Sequence, residues 1–181
     1  MNPAERSQSS NPNVFHVEVL SDSHDRTGFS CGVEALDAYF RRQARQEVER
    51  RVAAVFVITS DSKEVAAFYT LSSLSVPGSG LPEQFKKKLS SRAPVGMTLL
   101  GRMAVSKKFK GKKLGARLLI HSLKRAMETS RQVASWAVVV DAKEGSREFY
   151  LKYEFTPLSS QLSRLFLPKR TIEKLFDSGA R

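Results

Sequence analysis

The chain has 181 residues, 41% hydrophobic and 27% charged, a size and balance that suit one domain with a full core. Thirty Lys and Arg against 18 Asp and Glu leave a net charge of +12, which favours polyanionic partners: nucleic acid, multiply phosphorylated coenzymes or an acidic protein. A single cysteine, Cys31, rules out an internal disulfide and points to a reducing compartment; the three histidines lack metal-ligand spacing; and no apolar run approaches the roughly 20 residues of a membrane span.

The polar residues 1–13 lack the apolar heart of a signal peptide and are predicted to be a disordered lead-in, leaving a cytoplasmic domain at 14–178. Phe15–Leu20 alternates like a first strand. After a polar loop, a helix is predicted from Cys31, with Leu36, Tyr39, Phe40 and Ala44 on its apolar face and Arg41, Arg42, Arg45, Glu47 and Glu49 mostly on the others. Cys31 reads as a small buried residue near that helix start rather than as a nucleophile. Ala53–Thr59 and Val65–Leu71, joined by a turn at residues 60–63, form an antiparallel hairpin. Pro77, Gly78, Gly80 and Pro82 mark a loop before a short basic helix from Glu83 to Leu89.

Met97–Val105 is an apolar strand that runs into a basic loop, Ser106 to Lys113, and then into an amphipathic helix at 113–130 carrying Leu114, Leu118, Leu119, Leu123, Ala126 and Met127. A helix start leaves backbone N–H groups unpartnered and carries the positive end of the macrodipole. Gly111 and Gly115 admit a ligand close to those groups, and Lys107, Lys108, Lys110, Lys112, Lys113 and Arg117 crowd the same turn. This is the outline of a phosphate site. Ala134–Val140 is a continuous apolar strand ending at Asp141, and Ser146–Lys152 is helical. With the helix between them, the strands at 97–105 and 134–140 make a parallel βαβ crossover. Phe155 and Leu162–Leu167 supply the last strands, and Thr171–Phe176 a terminal helical turn. Antiparallel strands followed by one parallel crossover make a single mixed α/β domain: a twisted sheet flanked by helices.

This order of elements resembles the GNAT superfamily of acyl-CoA-dependent N-acetyltransferases. Their pyrophosphate loop, Gln/Arg-x-x-Gly-x-Gly/Ala, aligns with Lys110-Gly111-Lys112-Lys113-Leu114-Gly115, Lys113 standing at the inner glycine. A narrower resemblance extends from Phe29 to Leu167. Phe29–Asp37, Ala67–Leu71, Leu99–Val105, Val140–Ala142 and Glu148–Phe155 are similar to GNAT toxins of bacterial type II toxin–antitoxin modules, with Glu154 at a usual glycine. Those toxins acetylate the free α-amine of aminoacyl-tRNA, which blocks translation, and are neutralised by a ribbon-helix-helix antitoxin.

The resemblance makes acetyl-CoA the cosubstrate, with no metal, and Tyr150 the general acid that protonates the departing thiolate. It gives the pantetheine arm to backbone groups of Met103 and Val105. The pyrophosphate falls to Lys110, Gly111, Lys112, Lys113, Leu114, Gly115 and Ala116, and the far wall of the cleft to Asp141, Ser146 and Phe149. Arg102 faces either the acceptor or the core. A basic grip on tRNA is expected from Arg41, Arg45, Lys86, Lys87 and Lys88, because phosphate contacts supply affinity without sequence preference. Homodimerisation is left open.

Two other functions fit the residues. One is a GNAT enzyme acting on a small amine or a protein N-terminus. The other is a non-catalytic nucleic-acid-binding protein with Arg41, Arg42, Arg45, Arg50 and Arg51 as its contact face, which lacks any helix-turn-helix, RRM or zinc signature.

Overall fold

The computed structural model describes residues 15–60, 64–87, 89, 93–143, 145–158 and 161–178. The expected lead-in at 1–13, most of the turn at 60–63 and Lys88 lie outside these residues. Seven strands form one sheet in the order β1-β2-β3-β4-β5-β7-β6. They are β1 (His16–Val19), β2 (Ala54–Thr59), β3 (Val65–Val76), β4 (Val95–Val105), β5 (Ala137–Asp141), β6 (Thr156–Leu158) and β7 (Gln161–Pro168). Every pairing between these strands is antiparallel except β4 with β5, which is parallel. That pair flanks α4 (Leu114–Ser130), as a βαβ crossover requires.

The sheet separates two apolar layers. On one face, Leu114, Leu118, Leu119, Leu123 and Ala126 of α4 pack with Tyr69, Leu100, Val138, Val140 and Leu165. The other face carries α1 (Glu34–Arg42) and α2 (Ala44–Glu49), whose Tyr39, Phe40 and Ala44 bury against Phe29, Val57 and Phe68. Phe40 stacks flat on Phe68 at 4.3 Å. The central strands read as unbroken apolar runs because both of their faces are covered.

Several boundaries differ from the sequence reading. The helix expected from Cys31 begins at Glu34, because Asp37 reaches back to take hydrogen bonds from Ser30 Oγ and from the N–H groups of Cys31 and Gly32. Those three residues are thereby fixed as a loop. The strand expected from Ala134 starts at Ala137; Trp136 N–H bonds instead to the Gly96 carbonyl. The basic helix α3 is one turn, Glu83–Lys86, and the terminal turn is a ten-residue helix, α6 (Lys169–Ser178). Lys169 Nζ donates to the Ala126 carbonyl, tying α6 to α4. Between Ser146 and Lys152 the helix α5 covers Arg147–Leu151. No helix among the described residues is long and apolar enough to cross a membrane.

Candidate active site

The site grows from the way β4 leaves its neighbours. β5 pairs with β4 only at Thr98–Leu100, whereas β3 follows β4 to Val105. Beyond Leu100 the two parallel strands part. Ser106 N–H donates to the Ala66 carbonyl at 2.8 Å, which makes that couple a hydrogen-bonded pair. Alternation along an antiparallel ladder then makes Phe68 with Ala104 the next such pair. Met103 and Val105 fall at the positions between, so their N–H and C=O groups point away from β3 into the gap. A row of free peptide groups along the wall of a cleft can hold an extended amide-bearing chain as an added strand.

The gap runs toward the start of α4. There Gly111 has φ +82° and Lys113, the N-cap, has φ +56° and ψ +21°. Both adopt the left-handed region; for Lys113 this costs about 1–2 kcal/mol relative to a relaxed backbone. No side chain caps the helix and its first turn holds no acid. The first amide to find a carbonyl is that of Arg117, on Lys113 O at 3.3 Å, which leaves the N–H groups of Leu114, Gly115 and Ala116 directed outward. A Cβ placed on Gly115 would meet nothing within 4 Å, so the helix start is open at that position. The residues fit a pyrophosphate.

The crowd of cations divides on folding. Lys108 Nζ pairs with Glu64 at 2.6 Å, and Arg117 Nη2 donates to the Phe15 carbonyl at 2.6 Å. Lys112 Nζ lies 5.5 Å from the ring centres of both Phe15 and Phe109, and the stem of Lys107 lies across Gly32. Lys110 and Lys113 stay exposed, with no partner among the described residues.

Tyr150 sits on α5, the helix that follows β5, and is buried. It belongs to the core cluster that holds Leu100, Val140 and α4, with Met103 and Val105 packed against it. Its ring meets Phe149 and Phe155 edge to face at 5.2 and 5.5 Å. Burial pushes its phenol up to about 12, and no described side chain takes the hydroxyl. A phenol kept protonated, with an O–H that no described side chain accepts, can donate a proton. The turn that follows holds Glu154 at φ +63°, its N–H on the Leu151 carbonyl. Left-handed backbone thus occurs at both places where the GNAT pattern has glycine and this chain does not. Phe149 is half-buried against Tyr150 and Tyr153. Ser146 Oγ donates to the Lys143 carbonyl, and both Asp141 oxygens are held by Arg164 at 2.6 and 2.9 Å.

On the opposite face of the sheet, a groove opens between α1 and the β4–β5 gap, lined by Leu36, Tyr39, Gln43, Leu99, Arg102 and Lys143 among others. Arg102 faces this groove and not the core. Its guanidinium carbon lies 3.7 Å above the Tyr39 ring and Nη1 is 3.6 Å from Glu47 Oε2. Helical spacing gives Tyr39 as an apolar-face residue and Glu47 as one mostly on the other faces, and no local signal in the sequence joins the two. Cys31 is partly exposed and not buried as the sequence suggests; its thiol pKa is pushed up first by burial and then by Asp37.

The basic positions expected to grip RNA are scattered. Arg41 donates through Nε and Nη2 to the Phe29 carbonyl, and Arg45 pairs with Asp22 and Glu49. Lys86 pairs with Glu83, and Lys87 is exposed. Lys86 and Lys87 precede the start of β4, the end of the strand remote from the phosphate loop.

Residues 90–168 match the acetyltransferase (GNAT) domain model. The chain is 32% identical over 137 residues to a tRNA-acetylating toxin of Mycobacterium tuberculosis, covering 75% of this chain and 81% of that protein. It is 29% identical over 169 residues to the probable toxin TacT of Sinorhizobium fredii, covering 88% and 93%. Among solved structures, AtaT complexed with acetyl-methionyl-tRNAfMet matches with a TM-score of 0.83 at 25% identity, over 90% of this chain and 99% of that one. A Tyr→Phe variant of AtaT has also been solved with acetyl-CoA and the C-terminus of the antitoxin AtaR, a likeness at 23% identity and TM-score 0.76 over 90% and 98% that shows the fold alone.

Proposed function

The chain belongs to the GNAT acetyltransferases, beside the tRNA-acetylating toxins, and from that premise we propose that it moves the acetyl group of acetyl-CoA to the free α-amine of aminoacyl-tRNA and thereby blocks translation. The observation that supports the reading is that Met103 and Val105 lie where β4 and β5 part, on the strand that leads to the uncapped start of α4. Met103 and Val105 hold the pantetheine arm, and the amides and lysines of residues 110–116 hold the pyrophosphate. Asp141, Ser146 and Phe149 form the far wall.

Acetyl-CoA supplies an activated thioester. The acceptor amine enters from the Tyr39–Arg102 groove, the carbon–nitrogen bond forms as the carbon–sulfur bond breaks, and Tyr150 gives its proton to the departing sulfur. The amine's own proton goes to solvent, and solvent returns a proton to the Tyr150 phenolate. With a pKa of about 7.7–8.0, an α-amino group is partly neutral already, so the reaction does not depend on a strong general base. The net charge of +12 supplies general attraction to the RNA backbone.

On this reading the acetyltransferase domain spans 14–178 in the cytoplasm, and a ribbon-helix-helix antitoxin neutralises it. Labelled acetyl-CoA is expected to label charged tRNA and to leave deacylated tRNA, which offers no α-amine, unlabelled. Label confined to polyamines or protein N-termini would overturn the proposal in favour of an ordinary small-amine or N-terminal acetyltransferase.

A further inference from the structure

Arg102 is placed with more care than a surface arginine needs. Tyr69 of β3 pairs with Met103 and Leu71 with Leu100, so Gly101 and Arg102 together face the single residue Thr70. This is a β-bulge, a device that re-aims a side chain. Thr70 Oγ1 accepts the Arg102 N–H at 3.0 Å and holds the bulge closed. The guanidinium lies over the Tyr39 ring, with Nη1 3.6 Å from Glu47 Oε2, and Tyr39 Oη donates to that same oxygen at 2.7 Å. Residues from α1, α2 and β4 thus form a closed triangle around one cation, whose side chain is still 37% exposed. No other described acid or carbonyl pairs with the guanidinium.

The groove it faces carries more basic than acidic side chains. Lys143 lines it as a second cation and Gln43 adds an amide; the acid on its wall, Asp141, has both oxygens taken by Arg164. Arginine's planar fork matches phosphate in two-point contact. An amino acid esterified to RNA has lost its carboxylate, so the anion nearest its amine is the phosphodiester joining the last two nucleotides.

We propose that Arg102 binds this terminal phosphodiester of the acceptor, and that Tyr39 and Glu47 are positioning residues that fix the guanidinium for it; the proposal rests on aminoacyl-tRNA being the acceptor. It explains how the enzyme favours an amine carried on RNA over a free amine of similar reactivity: the phosphate is read next to the reacting group, and remote basic residues add only general attraction.

The test compares two acceptors bearing the same amino acid: an aminoacyl-CCA trinucleotide, which has phosphodiesters, and a 3′-aminoacyl adenosine, which has none. The wild-type enzyme is expected to prefer the trinucleotide about tenfold in kcat/KM, carried by KM. In Arg102→Met this ratio falls to near one, and Arg102→Lys, with the charge but not the fork, gives an intermediate ratio. Glu47→Gln and Tyr39→Phe each lower the ratio, and they decide the matter if Arg102→Met does not fold. An unchanged ratio in the folded variants, or equal loss on both acceptors, overturns the phosphate assignment while leaving the acceptor class standing. If the wild-type enzyme acetylates neither acceptor nor charged tRNA, and labels an acidic peptide instead, the acceptor class falls, and this proposal with it.

Discussion

Replacing Tyr150 with Phe removes one oxygen and leaves the ring contacts with Phe149 and Phe155 in place. No described side chain bonds that hydroxyl, so the loss orphans no partner and stability should stay within about 0.5 kcal/mol, the range of substitutions away from special features. For a domain of this length that is a shift of about 2 °C or less in Tm. If Tyr150 is the proton donor, turnover falls by roughly 10²–10⁴-fold, or about 2.7–5.5 kcal/mol of barrier. Because burial pushes the phenol up to about 12, the wild-type enzyme keeps its donor through the whole alkaline range of an ordinary assay. Activity should therefore rise with pH as the acceptor amine loses its proton, with no fall from tyrosine ionisation below about pH 11. Thiol release with charged tRNA measures kcat, and calorimetry measures acetyl-CoA affinity, which should be retained. A folded variant that turns over at near the wild-type rate would refute the reasoning and return Tyr150 to a packing role.

Gly115→Glu sets a carboxylate at the open start of α4, and calorimetry should show acetyl-CoA binding lost; unchanged affinity would move the pyrophosphate elsewhere. Lys113→Gly relieves a left-handed lysine, a gain of about 1–2 kcal/mol less 0.5–1 for glycine entropy, so Tm should rise by up to about 6 °C while acetyl-CoA binds more weakly for want of a charge. Glu154→Gly, at φ +63°, should give a similar rise with acetyl-CoA affinity kept, which separates strain from charge. His121 is held below its usual pKa, first by burial and then by Arg125, and its Nδ1 meets Tyr69 Oη at 2.7 Å. A histidine depressed in the folded state makes the unfolded chain bind more protons, so its share of stability is full above about 6.5 and is lost as pH falls through the folded pKa. Denaturant titrations of His121→Gln should show a shallower acid limb than wild type.

The parts legible in the sequence are those fixed by neighbours in the chain. The period of α4, the unbroken apolar runs of β2 and β5, and the hairpin of β2 with β3 depend on residues a few positions apart, and they were read correctly in type and order. The two non-glycine residues at family glycine positions were legible as departures, but the chain keeps the same left-handed turns and bears the strain. What the tertiary structure decided is who pairs with whom. Lys108 and Arg117 read as part of a phosphate cluster, yet they are taken by partners 44 and 102 residues away. Which way Arg102 faces depended on a bulge opposite Thr70, and its setting on Tyr39 and Glu47 from two helices, α1 and α2. Local periodicity says which side of an element is apolar. Register, bulges and the choice of a charge's partner arise only when distant segments meet, and there the acceptor side of this site is made.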